Sequence, residues 1–353
     1  MAPPEKPGGI GSIVAYIKSI YKDNKRIIFI SPYQKPIFIP KIFFLIPFSR
    51  NILPLFKLII SVLKSNYCTN YYIFSSAGYS FLERIVWSLI IKQLGHNVNL
   101  IFVDGNFPKV WRNQSILFNK LQLSLLDYIK PNILCQSNEW KDYYISILGK
   151  DFSYGIFPST SRIESELKSS LLKKNEKCNL SVLYVGWIKD DKGLKDFCSC
   201  ARFNKSHNFK LIGPYYGNLP FNDFIYTLPE NIEYIPPLEN LSDLIESFLM
   251  ADIFLFASKA EGHSVALLEA MSAGLPIIAY DIIGNQNLVE DSKNGFLAKA
   301  FDVSDLNRKL SILLSSKSLL QSMSLASINK YKTEYSNVLY KKHLNKLFDL
   351  ENL

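Results

Sequence analysis

Histidine and cysteine are scarce in this chain, four of one and five of the other in 353 residues. The histidines (His96, His207, His263, His343) have no metal-ligand spacing, and Cys198-Ser-Cys200 has no second pair to complete a zinc site. An odd set of cysteines (Cys68, Cys135, Cys178, Cys198, Cys200) with no framework spacing reads as free thiols in a reducing compartment. Long uncharged apolar runs are missing too. The greasiest stretch, residues 36–63, is broken by Lys41, Arg50, Lys57 and four prolines, whereas a membrane span needs ~20 mostly apolar residues. No apolar core follows the opening Met-Ala-Pro-Pro-Glu-Lys, so no secretory leader is expected. Disulfide scaffolds, His/Cys metal centres and helical membrane proteins are thereby set aside.

Charge is present but unevenly spread. Residues 1–150 carry 18 Lys and Arg against 7 Asp and Glu, while the remainder carries 22 against 24. The net charge of +9 therefore belongs to the first half. A basic half with exposed apolar residues suits an anionic surface, phospholipid headgroups or nucleic acid, and equally suits plain solubility. No nucleic-acid recognition motif accompanies the charge, so nucleic acid is not the expected partner. At 48% apolar residues, the chain is long enough for two domains of roughly 150–180 residues each.

Apolar patterning alternates between strand and helix. Residues 13–21 have helical spacing behind a Pro- and Gly-rich loop that contains Gly9 and Gly11, and glycines there let a ligand approach the backbone. Residues 26–31 read as a buried strand, 36–48 as a proline-broken apolar segment and 52–64 as a helix. Strands over 71–76, 97–103 and 132–135 alternate with helices over 81–94, 121–128 and 138–148. That is the βαβ order of a parallel sheet. Asp104 stands at a strand end, placed either to meet a ligand or to cap the turn. Residues 163–179, rich in Lys, Ser and Glu, read as the linker, with the boundary near Ser161.

The second half opens on a strand over 180–185, followed by Gly186-Trp-Ile-Lys189-Asp-Asp-Lys192-Gly193. A glycine at a strand end and a Lys-Gly step into a helix make a reasonable anion clamp, with Lys192 as a point charge. Lys189 either supplements it or is an ordinary exposed lysine. Strands follow over 209–214 and 232–237, and a helix over 241–250. Residues 257–297 then read ASKAEGHSVALLEAMSAGLPIIAYDIIGNQNLVEDSKNGFL. The unit is strand, loop, helix closed by Ala273-Gly274, and strand after Pro276. Glu261 lies in the loop and Glu269 in the helix. Gly262, His263, Ser264 and Val265 form the helix mouth, where backbone N–H groups suit a phosphate. The plain alternative is a capped surface helix with a solvated glutamate. Amphipathic, lysine-rich helices close the chain over 303–315 and 325–353.

EGHSVALLEAMSAGLPIIA, Gly284-Asn285 and Lys293-Asn-Gly-Phe-Leu297 together resemble the donor-binding half of family-4 glycosyltransferases of the GT-B fold. The resemblance implies an α/β chain of two Rossmann-like domains facing across a cleft: residues 1–160 on the acceptor side, 161–338 on the donor side, and 339–353 crossing back as a helix. It implies retaining transfer of a sugar from a UDP- or GDP-linked donor to a lipid-linked or surface-polysaccharide acceptor, with no metal or other cofactor. It further implies a cytoplasmic protein, peripheral on the inner face of the cell membrane. Glu261 would hold the transferred sugar, Glu269 the ribose, and Lys192 with the 262–265 amides the diphosphate. Gly9, Gly11, Gly186 and Lys189 would line the donor, with His263 a candidate phosphate contact. The chain departs from the family pattern in three places. Trp187 replaces an arginine, Asp104 stands where a histidine is usual, and the family's strand before the Pro-Pro-x-x-Gly-Gly-Ile loop is expected to be missing. These departures keep a second reading open, a non-catalytic nucleotide-sugar-binding partner subunit.

Overall fold

A computed structural model describes residues 9–22, 69–167 and 179–350 of the chain. Two compact units divide it, Met1–Pro158 and Ser159–Leu353. The segments 26–31, 36–48 and 52–64, read above as a strand, an apolar stretch and a helix, lie outside the described residues, as do Cys68 and Cys178.

In the first unit, helix α1 runs Gly9–Ile20. It starts earlier than its apolar spacing predicts, so Gly9 and Gly11 belong to its first turn and not to a loop ahead of it. Burial of Ile13, Val14 and Ile17 on one face outweighs the weak helix preference of two glycines. There follow β1 (Asn70–Ser75), α2 (Tyr79–Gln93), β2 (Asn97–Phe102), α3 (Phe107–Asn113), α4 (Ile116–Ile129), β3 (Asn132–Cys135), α5 (Asn138–Leu148) and β4 (Tyr154–Ile156). The strands pair in parallel in the order β1-β2-β3-β4. Aromatic rings fill the space between sheet and helices. Phe102 packs at 4.5 Å from Tyr144, 5.3 Å from Phe81 and 5.5 Å from Phe107. Helix α3 is not evident in the sequence, but Pro108 sits near its start, where a missing N–H costs nothing, and Phe107 anchors it.

The second unit contains β5 (Ser181–Val185), α6 (Leu194–Phe203), β6 (Asn208–Ile212), α7 (Phe221–Thr227), β7 (Ile232–Ile235), α8 (Leu241–Met250), β8 (Ile253–Phe256), α9 (Val265–Ser272), β9 (Ile277–Tyr280), α10 (Ile283–Gln286) and β10 (Gly295–Ala298). Helices α11 (Val303–Leu314) and α12 (Lys317–Lys330), a π-type turn over Tyr331–Tyr335, and α13 (Asn337–Leu347) complete it. All six strands are parallel, in the order β10-β9-β8-β5-β6-β7. Strands β8 and β9 are buried at every position, which is why they read as unbroken apolar runs and not as alternating ones. The start of the expected linker is instead part of this unit. Ile163 is fully buried and Glu164–Glu166 form a 3-10 turn, because the segment packs Ile163 into the core and Leu167 against it.

The order places β6 on one side of β5 and β8 on the other. Crossovers leaving β5 and β8 therefore diverge, and in open α/β sheets a ligand crevice lies at the carboxyl ends of two such strands. Two glycines allow the surrounding loops to close on each other. Gly193 has φ 81°, and a Cβ there would stand 2.1 Å from the Ala257 carbonyl oxygen. A Cβ on Gly284 would stand 2.1 Å from the carbonyl oxygen of Glu261. Gly193→Ala is expected to lower unfolding stability by about 1–3 kcal/mol through backbone strain alone, with the clash adding to it. Gly284→Ala is expected to lower it by the clash. Urea denaturation reads both, and midpoints equal to wild type would contradict these close approaches.

Candidate functional site

Both loops that flank the crevice carry charge, and they meet. After β5 the chain passes Gly186, makes a 3-10 turn over Asp190–Lys192 and enters α6. After β8 it passes Ala257–Gly262 and enters α9. Lys192 Nζ donates to Glu261 Oε1 at 2.6 Å and to the Ala260 carbonyl at 3.2 Å. Backbone joins backbone as well, Lys259 N–H donating to the Asp191 carbonyl at 3.0 Å. The two residues that the sequence sets 69 positions apart are thus direct partners.

Ser258, which the sequence reading passed over, supplies the other hold on Glu261. Its hydroxyl, fully buried, donates to Glu261 Oε1 at 2.6 Å. Its only signal in the sequence is a small polar residue at a strand end, three positions before the glutamate. Oε1 is therefore doubly engaged, and among the described residues Oε2 accepts no hydrogen bond. Behind the pair, Tyr184 is buried and donates to the Trp187 carbonyl at 2.9 Å. Burial raises its phenol well above the ordinary value, and the charges of Glu261 and Asp191 add to that.

Lys189 does not point its charge freely at the crevice. It pairs with Asp191 at 2.9 Å and lies 5.3 Å from the Trp187 ring centroid. Trp187, partly exposed, also meets Tyr216 edge-on at 5.4 Å. At the mouth of α9, the Ser264 hydroxyl caps Leu267 N–H at 3.4 Å. The N–H groups of Val265 and Ala266 then have no carbonyl of their own helix to bond. Aligned peptide dipoles give that mouth about half a positive charge.

His263 is brought to the same place, but its ring is buried. Nε2 lies 3.1 Å from the Asn287 amide, the ring packs 5.7 Å from Tyr335, and Nδ1 meets no partner among the described residues. Burial pushes the imidazole down to about 3, so at neutral pH it offers a phosphate no positive charge. Glu269 is buried too, its side chain 2% exposed, with Oε1 held by Arg162 Nε at 2.5 Å. Burial raises its carboxyl while the Arg162 charge and hydrogen bond pull it back. Arg162 belongs to no motif in the sequence, and only the fold brings it to Glu269.

In the first unit, Asp104 uses both carboxylate oxygens on backbone. Oδ2 takes Ala77 N–H at 3.0 Å and Oδ1 takes Asn106 N–H at 2.9 Å. It ties the loop after β1 to the loop after β2, so its hydrogen bonds support the capping reading. Among the described residues no group of three His, Cys, Asp or Glu side chains is placed to hold a metal ion. No described helix is long and apolar enough to cross a membrane.

The buried histidine makes stability depend on acid. An unfolded His titrates near 6.5 and the folded one near 3, so on acidification the unfolded chain takes the proton first. The contribution is intact above 6.5 and is lost as pH falls toward 3. The slope is at most about 1.4 kcal/mol per pH unit. His263→Gln is expected to lose about 2 kcal/mol less stability than wild type between roughly pH 6.5 and 5, read by urea denaturation at each pH.

Comparison with known proteins agrees with this geometry. Residues 165–330 match the family of group 1 glycosyl transferases. The capsular polysaccharide biosynthesis glycosyltransferase CapM of Staphylococcus aureus is 21% identical over 231 residues, 64% of this chain and 60% of CapM. The N,N'-diacetylbacillosaminyl-diphospho-undecaprenol alpha-1,3-N-acetylgalactosaminyltransferase of Campylobacter jejuni is 28% identical over 190 residues, 53% of this chain and 49% of that enzyme. The aligned regions thus span between 49% and 60% of these two relatives. Among solved structures, Anabaena HepE in complex with UDP superposes with a TM-score of 0.64 at 15% identity, covering 86% of this chain and 83% of HepE. That likeness establishes the fold. The chain thus shares the two-unit α/β fold of GT-B type, and its residues 165–330, which include both Lys192 and Glu261, are similar to group 1 glycosyl transferases.

Proposed function

We propose that the protein transfers a sugar, with retention of anomeric configuration, from a UDP- or GDP-linked donor to a lipid-linked or surface-polysaccharide acceptor. The observation that carries this is the Lys192–Glu261 contact at the point where the strand order reverses. Breaking the donor's glycosidic bond leaves negative charge growing on the departing diphosphate. In this reading Lys192 and the amides at the mouth of α9 would face that charge, and such preorganised groups stabilise a transition state without reorganising. Glu261, its Oε1 already committed, keeps Oε2 for hydroxyls of the transferred sugar. Glu269 would take the ribose in the same manner. A lysine and a helix dipole neutralise the diphosphate without a divalent ion, so the reaction is proposed to be metal-independent.

The acceptor follows from the relatives and the charge. The Campylobacter enzyme is named for a diphospho-undecaprenol acceptor and CapM for capsular polysaccharide, which supports a polyprenol-linked glycan here. The basic first 150 residues suit the anionic inner face of a membrane, where such lipids would be met. Trp187 in place of the family's arginine, with Lys189 drawn to Asp191, favours a second reading, a nucleotide-sugar-binding partner subunit.

Lys192→Ala is expected to weaken UDP or GDP binding by calorimetry at least about tenfold, and to lower donor turnover by about 10²–10³-fold. Wild-type turnover is expected to persist in EDTA. Unchanged turnover in Lys192→Ala would refute the assignment, and nucleotide binding by wild type without donor hydrolysis would favour the partner subunit. In liposome sedimentation the protein is expected to bind vesicles containing anionic lipid at low salt and to leave them as salt rises. Equal binding to neutral vesicles would count against the membrane reading.

A further inference from the structure

Glu269 has a partner that the strand-end loops do not supply. Arg162 reaches it from the segment that opens the second unit, and that segment is anchored on several sides. The Thr160 hydroxyl donates to the Tyr335 carbonyl at 2.7 Å and lies 3.1 Å from the Tyr331 hydroxyl. Ser161 Oγ meets Ser272 Oγ at 2.9 Å, and Ser272 donates onward to the carbonyl of Glu269 itself at 2.8 Å. Glu164 accepts from the Tyr331 hydroxyl at 2.8 Å and from Asn337 N–H at 2.5 Å. Residues on both sides of Arg162 are therefore pinned to α9 and to the turn before α13. Its guanidinium approaches Glu269 from a backbone with little freedom.

The arrangement at Glu269 repeats the one at Glu261. In each, Oε1 is occupied by a cationic donor, Arg162 at 2.5 Å and Lys192 at 2.6 Å. In each, Oε2 accepts no hydrogen bond from the described residues. An ionised carboxylate is an acceptor at both oxygens, whereas a protonated one turns one of them into a donor. Buried without a cation, the group would take a proton in preference to staying charged.

We propose that Arg162 is a positioning residue for nucleotide recognition, holding Glu269 ionised and oriented so that Oε2 is left to accept the hydroxyl pair of a donor ribose. This rests on the reading of Glu269 as the ribose carboxylate. Hydrogen bonds to a charged acceptor are the strong ones, so removing Arg162 takes away the preference for a ribose over a deoxyribose more than it takes away diphosphate binding. Lys192 and the α9 amides remain to bind the diphosphate.

The test is calorimetry on the full chain with UDP against 2′-deoxy-UDP, and GDP against 2′-deoxy-GDP. Wild type is expected to prefer the ribonucleotide by about tenfold or more. Arg162→Met is expected to bring the two within about twofold, with Arg162→Lys restoring most of the preference. Arg162→Gln keeps an amide donor without the charge and is expected to behave like the Met variant, so it carries the test where the Met variant does not fold. Discrimination equal to wild type in Arg162→Met or Arg162→Gln overturns this inference alone. A wild type that binds the nucleotides without preferring the ribose overturns it together with the role of Glu269. Failure of wild type to bind either nucleotide overturns the proposed function as well.

Discussion

A lysine and a glutamate 2.6 Å apart, at the carboxyl ends of two adjacent strands, are the constraint around which the second unit is built. The attraction is local, but holding it requires the rest of the fold. Strands β5 and β8 must be neighbours, the loop after each must be short enough to meet the other, and the backbone must tolerate two approaches that leave no room for a side chain at Gly193 or Gly284. Each of these was met by a different stretch of chain. The sheet order comes from crossovers that set β6 on one side of β5 and β8 on the other. The loop contact is sealed by the Lys259 amide on the Asp191 carbonyl. The consequence is an ion pair whose glutamate oxygen is also claimed by Ser258, so the cation and the acceptor are in place before any ligand arrives.

Such preorganisation has a physical cost that the structure offsets nearby. Charges taken from water must be compensated, and each carboxylate of the site has one oxygen satisfied by a cation. At Glu269 the compensation extends backwards. Arg162 is fixed by a chain of hydroxyl contacts through Ser161 and Ser272, and its neighbours by Tyr331 and Tyr335. His263 is handled in the opposite way: among the described residues no anion pairs with it, and burial keeps it neutral in the interior. The same short loop and helix thus hold two carboxylates paired with cations and one imidazole uncharged by burial.

Much of this unit was legible because its elements announce themselves. Strands β8 and β9 are buried on both faces and read as apolar runs, and Gly274 with Pro276 marks the end of α9. The helix over Leu241–Met250 was read to the residue, its apolar spacing being regular and its ends flanked by polar or strand residues. Where reading failed, the reason lies in context. Helix α3 hides behind a proline that is harmless only near a helix start. Gly9 and Gly11 are weak helix formers recruited by the buried face of α1. The 163–167 stretch looks like a linker by composition, yet Ile163 is wholly enclosed.

By itself the amino-acid order determined much of the local grammar: most of the strands and long helices, where Glu261, Glu269 and Lys192 fall within them, and that a glycine stands at each tight passage. Those properties depend on near neighbours in the chain, through periodicity and backbone sterics. Tertiary structure alone decided which donors each acceptor received. Arg162 reaches Glu269 across 107 positions and Thr160 meets the Tyr335 carbonyl across 175. Asp104 spends both oxygens on two loops of its own unit, and His263 turns out to be buried. Side-chain partnership at such separations depends on where the sheet and its crossovers set each atom down, and no spacing rule along the chain encodes it.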